Sequence, residues 1–318
     1  MQNFKENQVP RTLRDKFKYE RDLGSGTFGV VCKYQKDGKA YAIKFEQTNN
    51  SSSTNNEKKV LKDIINKNAL ISDPNLRVNV PFLYEDGMVR AENNSQISFN
   101  FLILDFFEKN IYQANEILTK GQLAVQMFKQ LENLHRMGYV HRDVKLDNFM
   151  IHNKEVYLID FGSSKTYRTV KQDGSQNHIP LQTQCKFEGT PYTASLNSHR
   201  GIEVSRVDDL ISVVYSLLWL WEDNLSWKDA LNQQRDQPLQ SNEQIALCYK
   251  HKLKLRSFHL VKYESQILFQ ILKYYLDKMQ DLQYEEIDID YEFIYHCVAQ
   301  IDKINNESDL ITLLNKIK

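Results

Sequence analysis

His141-Arg142-Asp143-Val144-Lys145-Leu146-Asp147-Asn148 is followed, twelve residues after its last Asn, by Asp160-Phe161-Gly162. The reading of the whole chain turns on the chemistry these two stretches place in order. Asp143 is a carboxylate that can accept or orient a hydroxyl proton. Lys145, two residues on, is a cation that can offset charge developing on a group in transfer. Asn148 and Asp160 are hard oxygen donors of the kind that suit Mg²⁺. Any one of these residues could be an ordinary turn residue, but the set in this order reads as one site.

Upstream, Gly24-Ser25-Gly26-Thr27-Phe28-Gly29 follows one strand-like run and leads into another, Val30-Val31-Cys32-Lys33-Tyr34. A lone GxGxxG also marks dinucleotide-binding folds, but those need a helix after the third Gly. A strand there favours a glycine flap over nucleotide phosphates, where missing side chains let backbone N–H groups approach; a plain hairpin turn is the other alternative. Leu23, Gly24, Ser25, Gly26, Thr27, Phe28 and Gly29 are thus candidate nucleotide-binding residues. Lys44 ends the short apolar run Ala40-Tyr41-Ala42-Ile43-Lys44, fifteen residues past Gly29. Such a Lys can reach the α- and β-phosphates, and Glu57, early in the next helix, is the carboxylate expected to hold it. The parts together describe a nucleotide-dependent phosphotransferase site, with Lys44, Glu57, Asp143 and Lys145 catalytic and Asn148 and Asp160 on Mg²⁺.

The surrounding pattern suggests an α+β chain. Phe17–Leu23, Gly29–Tyr34 and Lys39–Phe45 read as strands, with Asp37-Gly38 a strong hairpin signal. Gln47 to Asn56, nearly all Asn, Ser and Thr, reads as a surface loop. Glu57–Leu70 carries Val60, Leu61, Ile64 and Ile65 on one stripe, as an amphipathic helix would. Phe99–Phe107 reads as a strand buried on both sides. Beyond it the pattern turns helical: Leu123, Met127, Leu131 and Leu134 share one stripe, and Leu210, Val213, Val214, Leu217 and Leu218 another. Asn305–Lys318 reads as a short helix, either docking elsewhere or packed on its own domain.

Composition bounds the setting. The 318 residues allow one large domain or two lobes, and 41 basic residues cancel 41 acidic ones, so no whole-chain field points to nucleic acid or membrane. Cys32, Cys185, Cys248 and Cys297 are far apart, with no CxxC pair, and read as reduced thiols. The N-terminus has no signal-peptide core, and the most apolar stretch, Leu210 to Trp221, is too short to span a bilayer. The expectation is a soluble intracellular chain, cytoplasmic first, with nuclear or cytoskeletal association open.

The stretch Gly189-Thr190-Pro191-Tyr192-Thr193-Ala194-Ser195-Leu196-Asn197-Ser198-His199-Arg200-Gly201-Ile202-Glu203, then Ser205-Arg206-Val207-Asp208-Asp209-Leu210, resembles the casein kinase I family of Ser/Thr protein kinases. That family reads Gly-Thr-x-x-Tyr-Ala-Ser-Ile-Asn-x-His-x-Gly-x-Glu and then Ser-Arg-x-Asp-Asp-Leu, in place of the Ala-Pro-Glu of most protein kinases. His178-Ile179-Pro180 and Lys165-x-Tyr167-Arg168 match as well, so the resemblance runs from about Phe17 to Ile301. It implies a bilobal protein-kinase fold: an N-terminal extension over 1–16, a β-rich N-lobe with one main helix over 17–107, a mainly helical C-lobe over 108–302, and a short tail over 303–318. It implies ATP, Mg²⁺ and transfer of the γ-phosphoryl group to Ser or Thr of protein substrates. Residue by residue, Leu104 would be the gatekeeper, Asp105 and Phe107 would offer backbone hydrogen bonds to adenine, and Val31, Ala42 and Met150 would sandwich the purine. Asp209 would be the buried acid that supports the catalytic loop.

Departures from the family pattern bear on the substrate end. Leu146 stands where the family has Pro, Glu108-Lys109 where it has Gly-Pro after the hinge, and Val214 where it has Gly. Tyr192 stands where the family carries an Arg that binds anions near the substrate, and a phenol cannot replace a bidentate guanidinium. The expectation is a weakened preference for substrates already phosphorylated or acidic upstream, with Arg200 or Lys186 as compensating cations. The tail carries no long Ser/Thr-rich extension of the autoinhibiting kind. The alternative to an active kinase is a kinase-fold scaffold within a larger assembly, with little or no catalysis; retention of Lys44, Asp143 and Asp160 argues against it.

Overall fold

The computed structural model describes residues 9–26, 29–48, 52–92, 96–170, 176–234, 239–281 and 289–317. The chain divides into two compact units, one of residues 1–109 with 157–164 and the other of residues 110–156 with 165–318.

The first unit is built on a six-stranded sheet in the order β1-β2-β3-β4-β6-β5. Its strands are β1 (Thr12–Leu13), β2 (Phe17–Gly26), β3 (Gly29–Lys36), β4 (Lys39–Gln47), β5 (Leu83–Arg90) and β6 (Ser98–Asp105). Asp37 and Gly38, at φ 50° and 76°, form the turn between β3 and β4, the paired left-handed conformation that two-residue hairpins require. Successive residues alternate between the faces of the sheet. Val31, Ala42, Lys44 and Leu104 share one face, through the pairs Val31–Lys44 and Ala42–Leu104. The opposite face carries Cys32, Ile43, Phe45, Phe101 and Ile103, which join Val9, Leu13, Phe17 and Tyr34 in one buried cluster. Residues 9–13 lie over that cluster: β1 pairs with β2, and the Tyr34 hydroxyl donates to the Pro10 carbonyl at 2.5 Å.

Helix α1 (Ser52–Leu70) packs Val60, Leu61 and Ile64 against β5 and β6. It begins earlier than the polar composition suggests: Ser52 to Asn56 belong to the helix and not to a loop running to Asn56. The reason is local. The first turn has no acidic residue of its own, and the buried Glu46 at the end of β4 accepts the Thr54 N–H at 2.7 Å, which supplies the negative charge a helix N-terminus favours.

The second unit is mainly helical. Its helices are α2 (Lys120–Arg136), α3 (Leu196–His199), α4 (Arg206–Trp221), α5 (Ser226–Asn232), α6 (Ser241–Lys252), α7 (Tyr263–Asp281), α8 (Tyr291–Val298) and α9 (Glu307–Ile317). Helix α2 starts with a Thr119/Gln122 capping box and buries Leu123, Met127, Leu131 and Leu134. Helix α4 starts with a Ser205/Asp208 capping box and is apolar almost all round, as a helix packed between α2 and α7 must be. The last helix, α9, buries Leu310 and Leu313 against α7 of its own unit. Among the described residues of the chain the remaining strands are short: β7 (Lys109–Asn110), β8 (Tyr139–Val140), β9 (Phe149–His152), β10 (Glu155–Leu158), β11 (Lys165–Thr166), β12 (Arg168–Val170) and β13 (Gln176–His178). β11 pairs with β8, and β12 with β13. Among the described residues, no helix is long and apolar enough to cross a membrane.

Candidate active site

The first unit brings three of the candidate residues into direct contact. The Lys44 ammonium, on β4, lies 2.7 Å from Glu57 Oε2 on α1 and 2.7 Å from Asp160 Oδ1. Register accounts for part of this: Lys44 pairs with Val31 on one side and Leu102 on the other, so its side chain leaves a fully hydrogen-bonded strand in a fixed direction. Burial alone would push the Lys44 ammonium down, but the carboxylates of Glu57 and Asp160 outweigh it and hold the group above the ordinary lysine range. Lys44 is therefore a fixed cation across physiological pH. Asp160 sits at φ 61°, an uncommon left-handed conformation for a residue with a side chain.

The glycine segment lies on β2 and β3. Leu23 is exposed, Gly24 to Gly26 end β2, and Gly26 pairs with Gly29 across the hairpin; Thr27 and Phe28 lie outside the described residues. A Cβ on Gly24 would meet nothing within 4 Å, whereas one on Gly29, at φ 141°, would lie 2.0 Å from the Phe45 carbonyl oxygen. Gly29 is thus demanded by the backbone, and Gly24 leaves open space. Leu104 is buried on the Lys44 face. Asp105 ends β6 with its carboxylate engaged, accepting from Phe82 N–H at 3.0 Å and from the Tyr84 hydroxyl at 2.6 Å. The Phe107 ring packs on Tyr157 at 4.5 Å. Met150 lies in β9 of the second unit.

The second unit brings Asp143, Lys145 and Asn148 together. Lys145 Nζ lies 2.9 Å from Asp143 Oδ2, the Thr190 hydroxyl donates to Asp143 Oδ1 at 2.7 Å, and Asn148 Nδ2 donates to the Asp143 carbonyl at 2.8 Å. Asn148 spends its amide N–H on that carbonyl, so Oδ1 is the atom it could offer to a cation. Thr190 was not among the residues the sequence singled out; its position immediately after Gly189 was the available signal. Gly189, at φ 99°, also cannot carry a side chain, since a Cβ would lie 2.8 Å from the Arg142 carbonyl oxygen.

The loop bearing Asp143 is anchored from α4. Asp209 Oδ2 accepts the His141 N–H at 2.7 Å and faces His135 Nε2 at 2.9 Å, and Oδ1 accepts the Arg142 N–H at 2.9 Å. Burial works against the Asp209 carboxylate, yet the His135 and backbone donors hold it below the usual range. Burial keeps His135 below its usual value, so the neutral ring donates from Nε2 and Nδ1 accepts from the Tyr291 hydroxyl at 2.7 Å. Arg142 takes φ 71° here.

A protein kinase domain family matches residues 17–195. This chain belongs to the protein kinase family. It is also 34% identical over 219 residues to a probable casein kinase I homolog of Encephalitozoon cuniculi, a match covering 66% of this chain and 63% of that relative. The chain thus spans less than two thirds of the relative it matches, and it is casein kinase I-like in the sense of that similarity. The α+β composition, with a sheet-based first unit and a helical second one, is that of the kinase domain.

In this kinase the segment after Gly189 is held by its own unit. The Tyr192 ring packs on Trp219 at 4.6 Å and its hydroxyl donates to Asp147 Oδ2 at 3.2 Å. Burial, then the neighbouring Asp147 carboxylate, pushes the Tyr192 phenol up, so it stays neutral. Lys252 of α6, buried, donates to the carbonyls of Pro191 at 3.0 Å and Ala194 at 2.6 Å, and burial pushes it down to about 7. His199 Nε2 donates to the same Pro191 carbonyl at 3.2 Å. The guanidinium of Arg200 turns to the Tyr249 hydroxyl at 3.2 Å, while Lys186 is exposed.

These buried groups set a pH dependence of stability. Burial keeps His135 neutral and drives His199 down to about 3, whereas in the unfolded chain both take up a proton below about 6.5. Falling pH through that range therefore removes stability; Asp209, whose carboxylate is held below its usual range, adds to the loss only below about pH 4, where the unfolded carboxyl takes up its proton. Asp208 acts in the opposite sense, since burial pushes it up to about 6, so the fold binds its proton before the unfolded chain does. Glu57, which burial also pushes up, acts with Asp208; His199 lies furthest from its unfolded value and sets the sign of the change. The melting temperature is expected to fall from pH 7.5 to pH 5, less so in His199→Gln; an unchanged melting temperature would contradict the assignment.

Proposed function

We propose that this chain transfers the γ-phosphoryl group of ATP, with Mg²⁺, to Ser or Thr hydroxyls of protein substrates. The observation that carries the reading is the Asp143 carboxylate held between Lys145 and Thr190 on a loop anchored by buried Asp209. A general base must be fixed and ionised, and a cation beside it can stabilise the phosphoryl group in transfer. Lys44, fixed as a cation by Glu57, would bind the nucleotide phosphates. Leu23, Gly24, Ser25, Gly26, Thr27, Phe28, Gly29, Val31, Ala42, Asp105, Phe107 and Met150 are the proposed ATP contacts. Asn148 and Asp160 would hold Mg²⁺ through oxygen. Bound there, Mg²⁺ supplies charge neutralisation on the phosphates.

The substrate end supports a reading without a primed-substrate preference. By the resemblance Tyr192 would stand at the family's anion-binding position; it is a neutral phenol packed at a tilt on Trp219 and hydrogen-bonded to the Asp147 carboxylate, and Arg200 is turned to Tyr249. Wild-type kcat/KM is expected to be similar for primed and unprimed peptides. Tyr192→Arg is expected to raise the primed-to-unprimed ratio about 10-fold, the scale of a charge-assisted hydrogen bond. A wild type that already prefers primed peptides would remove this reading.

The test of the function itself is incubation with casein and γ-labelled ATP, with Mg²⁺ and with excess chelator. Mg²⁺-dependent label on Ser or Thr supports the kinase. No label above background, with ATP binding absent, supports the scaffold.

A further inference from the structure

One residue before Glu57 on α1, the Asn56 side chain reaches the backbone of the segment that carries Asp160. Its Nδ2 lies 2.8 Å from the Ser164 carbonyl oxygen, 3.0 Å from that of Gly162 and 3.3 Å from that of Phe161. All of these residues belong to the first unit. A side-chain amide has two N–H donors, so the two shorter contacts use them and the third carbonyl shares one. The helix and the segment are also close-packed: a Cβ on Gly162 would lie 2.2 Å from Ser53 Oγ. Phe161 and Ser164 are buried, and buried backbone carbonyls need donors.

Adjacent residues of α1 therefore hold the same segment in two ways. Glu57 holds it through Lys44, which grips the Asp160 side chain. Asn56 holds its backbone directly. Asp160 stands at φ 61°, a conformation that surrounding structure must enforce. The carbonyls that follow it are the natural place to apply that constraint.

We propose that Asn56 is a positioning residue that fixes the backbone of residues 160–164 and so holds the Asp160 carboxylate in the orientation metal binding requires. The consequence for Mg²⁺ rests on the kinase reading above; the clamp itself does not. An Asp at this position would set a carboxylate against three carbonyl oxygens. A Leu would remove the Asn56 donors from all three, leaving the Phe161 carbonyl with the Ser164 N–H at 3.1 Å, while keeping a similar volume and a helix-compatible side chain.

Two measurements separate the clamp from the kinase reading. The first is amide hydrogen exchange over residues 160–166 in the wild type, Asn56→Leu and Asn56→Gln, without nucleotide. Exchange is expected to be about 10-fold faster or more in Asn56→Leu, the scale of one or two lost hydrogen bonds. Exchange elsewhere in α1 should be little changed, and Asn56→Gln should restore part of the protection. The second is the Mg²⁺ concentration giving half-maximal transfer, expected to rise about 10-fold in Asn56→Leu with KM for the peptide unchanged. A role limited to general stability would lower the melting temperature and leave the Mg²⁺ curve in place, which overturns the proposal. Unchanged exchange in Asn56→Leu overturns it as well, whatever the activity. Faster exchange in a chain whose wild type transfers no phosphate would support the clamp and count against the kinase reading instead.

Discussion

Lys44→Met is expected to lower kcat/KM for phosphoryl transfer by about 10²–10³-fold, the loss typical of removing one preorganised charge from a transition state. The structure shows why the effect exceeds that of a missing surface charge. Glu57 is almost fully buried, and in the wild type its carboxylate faces the Lys44 ammonium at 2.7 Å. Without the cation, Glu57 is left as an unpaired buried acid close to Asp160. Removing one partner of a buried ion pair costs about 3–5 kcal/mol, so a fall in melting temperature is expected alongside the loss of rate. Glu57 would then be driven to take up a proton, because burial already pushes it up. Lys44→Arg separates the two effects: the charge is kept and the melting temperature largely recovers, but a planar guanidinium does not reproduce the ammonium geometry and the rate stays low. Wild-type kcat/KM in Lys44→Met at a preserved melting temperature would contradict the role given to this residue.

Asp209→Ala carries the largest expected effect on stability. The carboxylate accepts from the backbone N–H groups of His141 and Arg142 and from the ring of His135, all with little access to water. Alanine leaves three donors without an acceptor, each costing about 1–3 kcal/mol. A total near 3–5 kcal/mol is a large part of the stability of a typical domain. A fall of about 10 °C in melting temperature follows, read by thermal unfolding. Arg142 holds φ 71° beside this anchor, so the Asp143 loop is expected to relax and activity to fall further than the folded fraction. Asp209→Asn keeps an oxygen acceptor and should fold, with a smaller loss. A melting temperature within about 2 °C of wild type for Asp209→Ala would show that the loop is held by other means.

How much of this was legible in the sequence depended on whether a residue's meaning lay in its spacing or in its neighbours in space. The strands around Asp37-Gly38 and the two apolar helical stripes follow from local pattern, because turn chemistry and helical periodicity are local physics. β5 is not legible in the sequence, since an edge strand with Asp86 and Gly87 in its middle shows no clear alternation. Val9 and Leu13 read as part of an extension, yet their burial is decided by a hydrophobic face that β2, β3 and β4 create only once folded. The start of α1 was hidden for a similar reason: Asn, Ser and Thr suggest a loop, and the cap that overrides this comes from Glu46 on another strand.

The site divides the same way. Lys44, Glu57, Asp143, Lys145, Asn148 and Asp160 stand in an order that chemistry makes recognisable, and within each unit the structure brings the expected neighbours into contact. Thr190, Lys252, His135, Tyr291 and Asn56 are common residue types with no motif of their own. Their positions next to Asp143, Pro191, Asp209 and the Asp160 segment come from tertiary packing.

The most direct test of the account is the turnover of casein or a Ser-containing peptide by Asp143→Asn at saturating ATP and Mg²⁺, compared with wild type at equal folded concentration. Asn keeps the shape and one acceptor oxygen for the Lys145 ammonium, with the Thr190 hydroxyl free to turn and accept from its amide, but it cannot serve as a carboxylate base. The account predicts a fall in kcat of about 10²-fold or more with the melting temperature retained. Equal turnover by the two proteins would contradict it.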